Sequence, residues 1–186
     1  MQKFFNDINA IEQFTSTLKS DPSLQCLHCS KHEHFISHGF VYKQYSITHR
    51  EAVGKRIVCC NRYGHQGCGR TYQLDIVNKL PKRHYSTWVL FVFISLMSLG
   101  RSVCNAYTQA TKQTQTRHAW RWLKKLKANM MHYRGYLKVP IPIGSSDKLK
   151  KFKHHQCLLS TLTAMILAVD GCPCAAFQCK QQMAFI

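Results

Sequence analysis

The sequence is short of acid. Among 186 residues there are 8 Asp and Glu against 26 Lys and Arg, which gives a formal net charge of +18. A two-metal nuclease or transposase centre needs three or more converging carboxylates. Here Asp7, Glu12 and Asp21 fall in the N-terminal segment and Glu33 and Glu51 in the cysteine-rich stretch that follows, leaving Asp75, Asp147 and Asp170 as the only spread set. No catalytic residue is expected from that distribution, and a catalytic transposase or nuclease fragment is the rival reading. Long hydrophobic runs are missing too. The longest, residues 88–97, is interrupted by Ser95 and falls short of the ~20 residues a membrane span needs. It reads as a buried helix, so no membrane partner is expected. The opening Met1-Gln2-Lys3-Phe4-Phe5-Asn6-Asp7 has no apolar leader and no small-residue cleavage site, which argues against secretion. Internal repeats and low-complexity tracts are lacking.

Cysteine, by contrast, is plentiful, with 10 in the chain. In a reducing compartment closely spaced cysteines read as metal ligands rather than disulfides. Cys26-Leu27-His28-Cys29 has the spacing of a zinc knuckle. Cys59-Cys60-Asn61-Arg62-Tyr63-Gly64-His65-Gln66-Gly67-Cys68 is a wider one, whose glycines allow the longer loop to fold back. Four thiolates converging from two tight turns is the donor set of a structural zinc site. The expected ligands to one Zn2+ ion are Cys26, Cys29, Cys59 and Cys68, with Cys60 as the alternative to Cys59. Neighbours on a strand point to opposite faces, so only one of that pair can reach the ion. His28, His32, His34, His38 and His65 are further candidate donors. Cys157, Cys172, Cys174 and Cys179 are spaced too irregularly to specify a second site and read as buried thiols.

The chain divides into four expected segments: an N-terminal helix over 1–22, a zinc ribbon over 23–78, a helix-turn-helix over 84–134, and a basic linker with a C-terminal helix over 135–186. Phe4, Ile8, Ile11, Phe14 and Leu18 recur at helical spacing, and Pro22 stops the pattern. β-Branched and aromatic residues mark strands at 35–42, 55–58 and 70–74, with 45–48 as a further extension of the hairpin. The fold class is therefore α+β, mostly helical: a small three-stranded zinc ribbon, a helix-turn-helix and a C-terminal helix. So small a sheet depends on its metal for folding free energy.

Ser86 reads as the N-cap of a helix to about residue 98, and a short helix follows from Ser102. A polar turn at 111–113 leads into a third helix from Thr114 to about residue 132. Ala119, Trp122, Leu123 and Leu126 form its inward stripe. Two helices, a tight turn and a basic second helix make a helix-turn-helix pattern. Gln115, Thr116, Arg117 and His118 are the candidate base readers. Arg121, Lys124 and Lys125 are candidate phosphate contacts. Trp120 reads either as core or as a rim contact. Basic arms at 79–84 and 148–155 add phosphate grip.

The run Cys59-Cys60-Asn61-Arg62 with Gly67-Cys68-Gly69-Arg70-Thr71-Tyr72 resembles the N-terminal zinc ribbons of bacterial insertion-sequence transposases and their small accessory proteins. His118-Ala119-Trp120-Arg121-Trp122-Leu123-Lys124-Lys125-Leu126 is similar to the helix-turn-helix that follows the ribbon there. The resemblance spans about residues 26–130 and favours Cys59 as the second knuckle's leading ligand. It implies zinc-dependent binding of double-stranded DNA, often at the ends of a mobile element, during transposition. It also implies a bacterial, cytoplasmic, nucleoid-associated protein. A transposase or recombinase is the further partner it implies, with an adaptor role for such an enzyme as another alternative. A homodimer is an open possibility.

Overall fold

The computed structural model describes residues 2–18, 21, 24–44, 48–81, 83–138 and 150–186, without the side chains of residues 2 and 150–154. The chain falls into two compact units, Met1–His84 and Tyr85–Ile186. The fold is α+β, with ten described elements.

The first unit is built on a sheet of order β1-β4-β3-β2: β1 (Gln2–Phe5), β2 (Phe35–Gln44), β3 (Arg50–Cys59) and β4 (Thr71–Ile76). The expected three-stranded ribbon is thus a four-stranded mixed sheet. The N-terminal residues read as helix supply the extra strand. Gln2–Phe5 pairs in parallel with β4, Phe4 opposite Asp75 and Phe5 opposite Ile76, and Val77 N–H donates to the Phe5 carbonyl at 2.9 Å. Sheet hydrogen bonds and the burial of Phe4, 3% exposed, override the helical periodicity. The helix starts only after Asp7, whose carboxylate accepts from Ala10 N–H at 2.8 Å and caps α1 (Ile8–Ser16).

β2 and β3 form an antiparallel hairpin with register shifts between Ser37 and Phe40 and between Val41 and Tyr42. Of the expected hairpin extension at 45–48, residues 45–47 lie outside the described residues, and 48 is in no strand. Strand alternation sends Phe35, Ile57, Cys59, Leu74 and Ile76 to one face, where Ile11, Leu18 and Leu24 cover them. Cys26 and Cys59 belong to this same core, and Cys29, Cys68 and Tyr72 pack on its border. The cysteine site is therefore continuous with the apolar core of the unit.

The second unit is helical: α2 (Thr87–Ser98), α3 (Val103–Thr111), α4 (Arg117–Leu137), α5 (Lys150–Ala168) and α6 (Pro173–Gln181). Ser86 and Ser102 cap α2 and α3, accepting from Val89 and Asn105 N–H. Trp122 packs edge-on against Tyr85, Phe93 and Tyr107, with ring centroids 5.2–5.3 Å apart. α4 runs past its expected end at about residue 132 and into the start of the expected linker. Tyr133 is fully buried, stacked on Phe185 at 4.6 Å, edge-on to Phe177 at 5.2 Å, and donating to the Phe185 carbonyl. That packing carries the helix through Gly135 to Leu137. Residues 139–149, including most of the expected linker and Asp147, lie outside the described residues. The C-terminal region holds two helices, α5 and α6, rather than the single one expected. No single helix among the described residues is long and apolar enough to cross a membrane. α5 and α6 pass that test only as a pair, bent by 90°.

Candidate metal centre and nucleic-acid interface

Four sulfurs meet at the border of the first unit's core. The Sγ atoms of Cys26, Cys29, Cys59 and Cys68 all lie within 4.8 Å of one another. Two of the distances, Cys26–Cys68 and Cys29–Cys59, are 3.7 Å. A disulfide is far shorter, at roughly 2.05 Å, and all four cysteines are free. A metal–thiolate bond of about 2.3 Å in a regular tetrahedron sets the sulfurs ~3.8 Å apart. The donor set and its spacing therefore fit one metal ion.

Each knuckle is shaped by its backbone. In the first, Ser30 N–H donates to the Cys26 carbonyl at 2.8 Å and Cys26 N–H to the Lys31 carbonyl at 3.0 Å, with Ser30 at φ 55°. In the second, Cys59 ends β3 opposite Phe35. Gly67 and Gly69 N–H then donate back to the carbonyls of Cys60 and Cys59 at 2.6 and 2.7 Å. Gly67 is needed for this fold-back, because a Cβ there would sit 2.3 Å from the Cys60 carbonyl oxygen and 2.7 Å from the Cys59 sulfur. The extra length is taken up by a turn at Arg62–His65. His65 N–H donates to the Arg62 carbonyl at 3.0 Å, with Tyr63 at φ 55° and Gly64 at φ 82°, the signature of a type I′ turn.

The ambiguity between Cys59 and Cys60 is resolved by geometry. Cys59 is buried within the cluster, and Cys68 N–H points at its sulfur at 3.4 Å. Cys60 turns away and contacts the N–H and carbonyl of Arg62, both at 3.3 Å. None of the five candidate histidines joins the group. Among the described residues no second group of three or more His, Cys, Asp or Glu lies close enough to hold an ion. Cys174 is buried and Cys179 is exposed.

One participant escaped sequence reasoning. The Tyr72 hydroxyl lies 3.0 Å from the Cys26 sulfur. That contact, and then burial, pushes the hydroxyl up to about 12. Burial opposes ionisation of Cys26, but hydrogen bonds from Tyr72 and from the Cys29 and His28 backbone outweigh it and bring the thiol down to about 6. Cys59 is pushed up to about 12, first by burial. Tyr72 closes the motif at Gly67–Tyr72, but nothing in a linear pattern reveals that its hydroxyl meets Cys26.

In the second unit, α3 and α4 are joined by the turn 112–116, entered through Lys112 at φ 59°. Ala119, Trp122, Leu123 and Leu126 are buried. Arg117, His118, Arg121, Lys124 and Lys125 are exposed, and their spacing sets them along one side of α4. Gln115 and Thr116 do not lie within the helix as expected. Gln115 is in the turn, and Thr116 is the N-cap, half-buried and making no side-chain capping bond. Trp120 is 56% exposed, which excludes the core reading. The first turn of α4 carries Arg117 and His118 and no acid. A helix N-terminus is the positive end of its dipole, so cations there are locally unfavourable, whereas an anion is favoured.

Compared with family models, with curated proteins and with solved structures, the chain matches none.

Proposed function

We propose that the chain is a zinc-dependent, double-stranded-DNA-binding protein of a mobile element, acting in transposition at the element ends. The observation that carries this reading is the face of α4. Its cations stand exposed on one side, opposite a buried apolar stripe, on a helix whose N-terminus lacks the usual acidic residues and side-chain cap. A DNA phosphate at that N-terminus would satisfy what the local sequence leaves unsatisfied. The net charge of +18 supports the same partner.

In this reading Cys26, Cys29, Cys59 and Cys68 hold one Zn2+ ion, which acts as a structural cross-link of the two knuckles. An all-thiolate tetrahedron suits zinc, and with four protein ligands it leaves no open position for chemistry. Arg117 and His118 at the start of α4 read base edges. Arg121, Lys124 and Lys125 grip phosphates and provide salt-dependent affinity by counterion release.

The test is selection of random duplex DNA by the purified chain at ~200 mM salt, where non-specific binding is much weakened. An enriched motif is expected. Arg117→Ala should weaken that site by about 1–3 kcal/mol and relax one position, whereas Lys124→Ala should weaken all sequences alike and lower the salt slope by about 1. Failure to enrich any motif, with a recombinase co-purifying instead, would replace this reading with that of an adaptor.

A further inference from the structure

The first unit also has a cleft, apart from its cysteines. It has a volume of about 270 Å³ and opens beside β2 and β4 and the segment that follows them. Tyr42, Lys43, Gln73, Asp75, Lys79 and Arg83 line it, together with the exposed His84. Its polar floor is Asp75, 4% exposed, which accepts from the Gln73 amide at 2.6 Å. Lys43 is fixed in place, its ammonium donating to the carbonyls of Leu80 and Arg83. Lys79 bridges to Glu51 at 2.7 Å. Lys43, Lys79 and Arg83 thus gather at the cleft, with Asp75 in its floor and Glu51 paired to Lys79. Burial, and then the charge of Lys79, hold Lys43 below the usual lysine range, while Asp75 and Glu51 act to raise it.

Beside the cleft stand two rings. Tyr42 is 46% and Phe40 37% exposed, and their centroids are 6.1 Å apart. The Arg50 guanidinium lies 4.0 Å from the Tyr42 centroid, and the Lys55 ammonium 5.0 Å from that of Phe40. A duplex keeps its base faces stacked and offers nothing to such rings. Unpaired bases stack on aromatic side chains and guanidinium planes while cations track the backbone.

We infer that this cleft and the Phe40–Tyr42 rings form a site for single-stranded nucleic acid. Bases stack on Tyr42 and Phe40, and the backbone phosphate sits by Lys79 and Arg83. The site is independent of α4 and of duplex reading.

The test uses the purified full chain and a fluorescent oligo(dT) of about 12 nucleotides, within the range of single-strand site sizes. Loss of one stacking contact is expected to make Tyr42→Ala bind about 5- to 150-fold more weakly. Tyr42→Trp should restore binding, and the duplex affinity of both variants should stay unchanged. Arg121→Ala on α4 should do the reverse, lowering duplex binding and sparing oligo(dT), so that the two readings fail separately. Metal content and melting temperature confirm that each variant is folded. Oligo(dT) binding that is absent, or that survives Tyr42→Ala intact in a folded protein, overturns the proposal. So does thymidine monophosphate competing as well per nucleotide as the strand, which would reassign the cleft to a free nucleotide.

Discussion

Replacing Cys59 and Cys60 in turn gives the sharpest test of the metal centre, because the residues are adjacent yet have opposite roles. Cys59 sits within the sulfur cluster, packed against Gly67 and receiving the Cys68 N–H. The Cys60 sulfur contacts the backbone N–H and carbonyl of Arg62, contacts that a serine hydroxyl can reproduce. A structural zinc site contributes roughly 10–16 kcal/mol of apparent binding free energy. A whole domain is stable by only about 5–15 kcal/mol. The apolar core of the first unit is small, and the cluster residues Cys26 and Cys59 are part of it. Removing one thiolate should therefore abolish the unit's cooperative unfolding transition as well as its metal. Cys60→Ser should keep one equivalent of zinc and lose under about 1 kcal/mol, the size of an ordinary hydrogen-bond adjustment. The assays are elemental analysis and thermal unfolding, each with and without chelator. Equal metal content in the two variants, or loss in Cys60→Ser alone, would refute the ligand assignment. A stoichiometric metal other than zinc, held by the same four sulfurs, would keep the site and refute the ion.

Three further outcomes are expected. Tyr63 is 88% exposed at φ 55°, and Asn-Gly is the preferred type I′ pair, so Tyr63→Asn should raise the melting temperature by the equivalent of about 0.5–1 kcal/mol; a lower value would contradict the turn assignment. Phe185 is fully buried between Tyr133 and Phe177, so Phe185→Ala should cost about 3–5 kcal/mol in denaturant unfolding of the second unit. A loss below about 1 kcal/mol would mean that this aromatic cluster is not core. Burial, then the hydrogen bond to Tyr85, raises Tyr107 from 10.0 to about 12. A raised folded pKa contributes stability that is complete below the unfolded value and lost as pH climbs through the folded one. The second unit should accordingly weaken between pH 10 and 12, less so in Tyr107→Phe, as followed by circular dichroism and tyrosinate absorbance.

Much of the site could be read from spacing alone. Cys26-x2-Cys29 and the Gly67-Cys68-Gly69 run pick out three of the four clustered cysteines, because a knuckle is a local turn whose residues must be close in sequence. Ser86 and Ser102 announce their helices for the same reason, since a cap bonds N–H groups only three residues away. The inward stripe of α4 follows from its 3.6-residue period. The choice between Cys59 and Cys60 was harder, because it depends on the phase of β3, which only its pairing with Phe35 fixes.

What remained was decided by contacts between residues far apart in the chain. Gln2–Phe5 has a helix-like pattern, but β4, some 70 residues away, offers it parallel sheet bonds that no local preference anticipates. Gly135 looks like the start of a linker until Phe177 and Phe185 close over Tyr133 near the end of α4. Tyr72 and Cys26 meet across 46 residues, and the cleft gathers Tyr42, Gln73 and Arg83 from separate segments. Donor atoms, charge and caps are legible in the chain itself, because they depend on residue type and short spacing. Tertiary structure decided which strands pair, which sulfur turns inward and where the cleft opens, because burial and non-local hydrogen bonding outweigh the fraction of a kcal/mol per residue that separates local conformations.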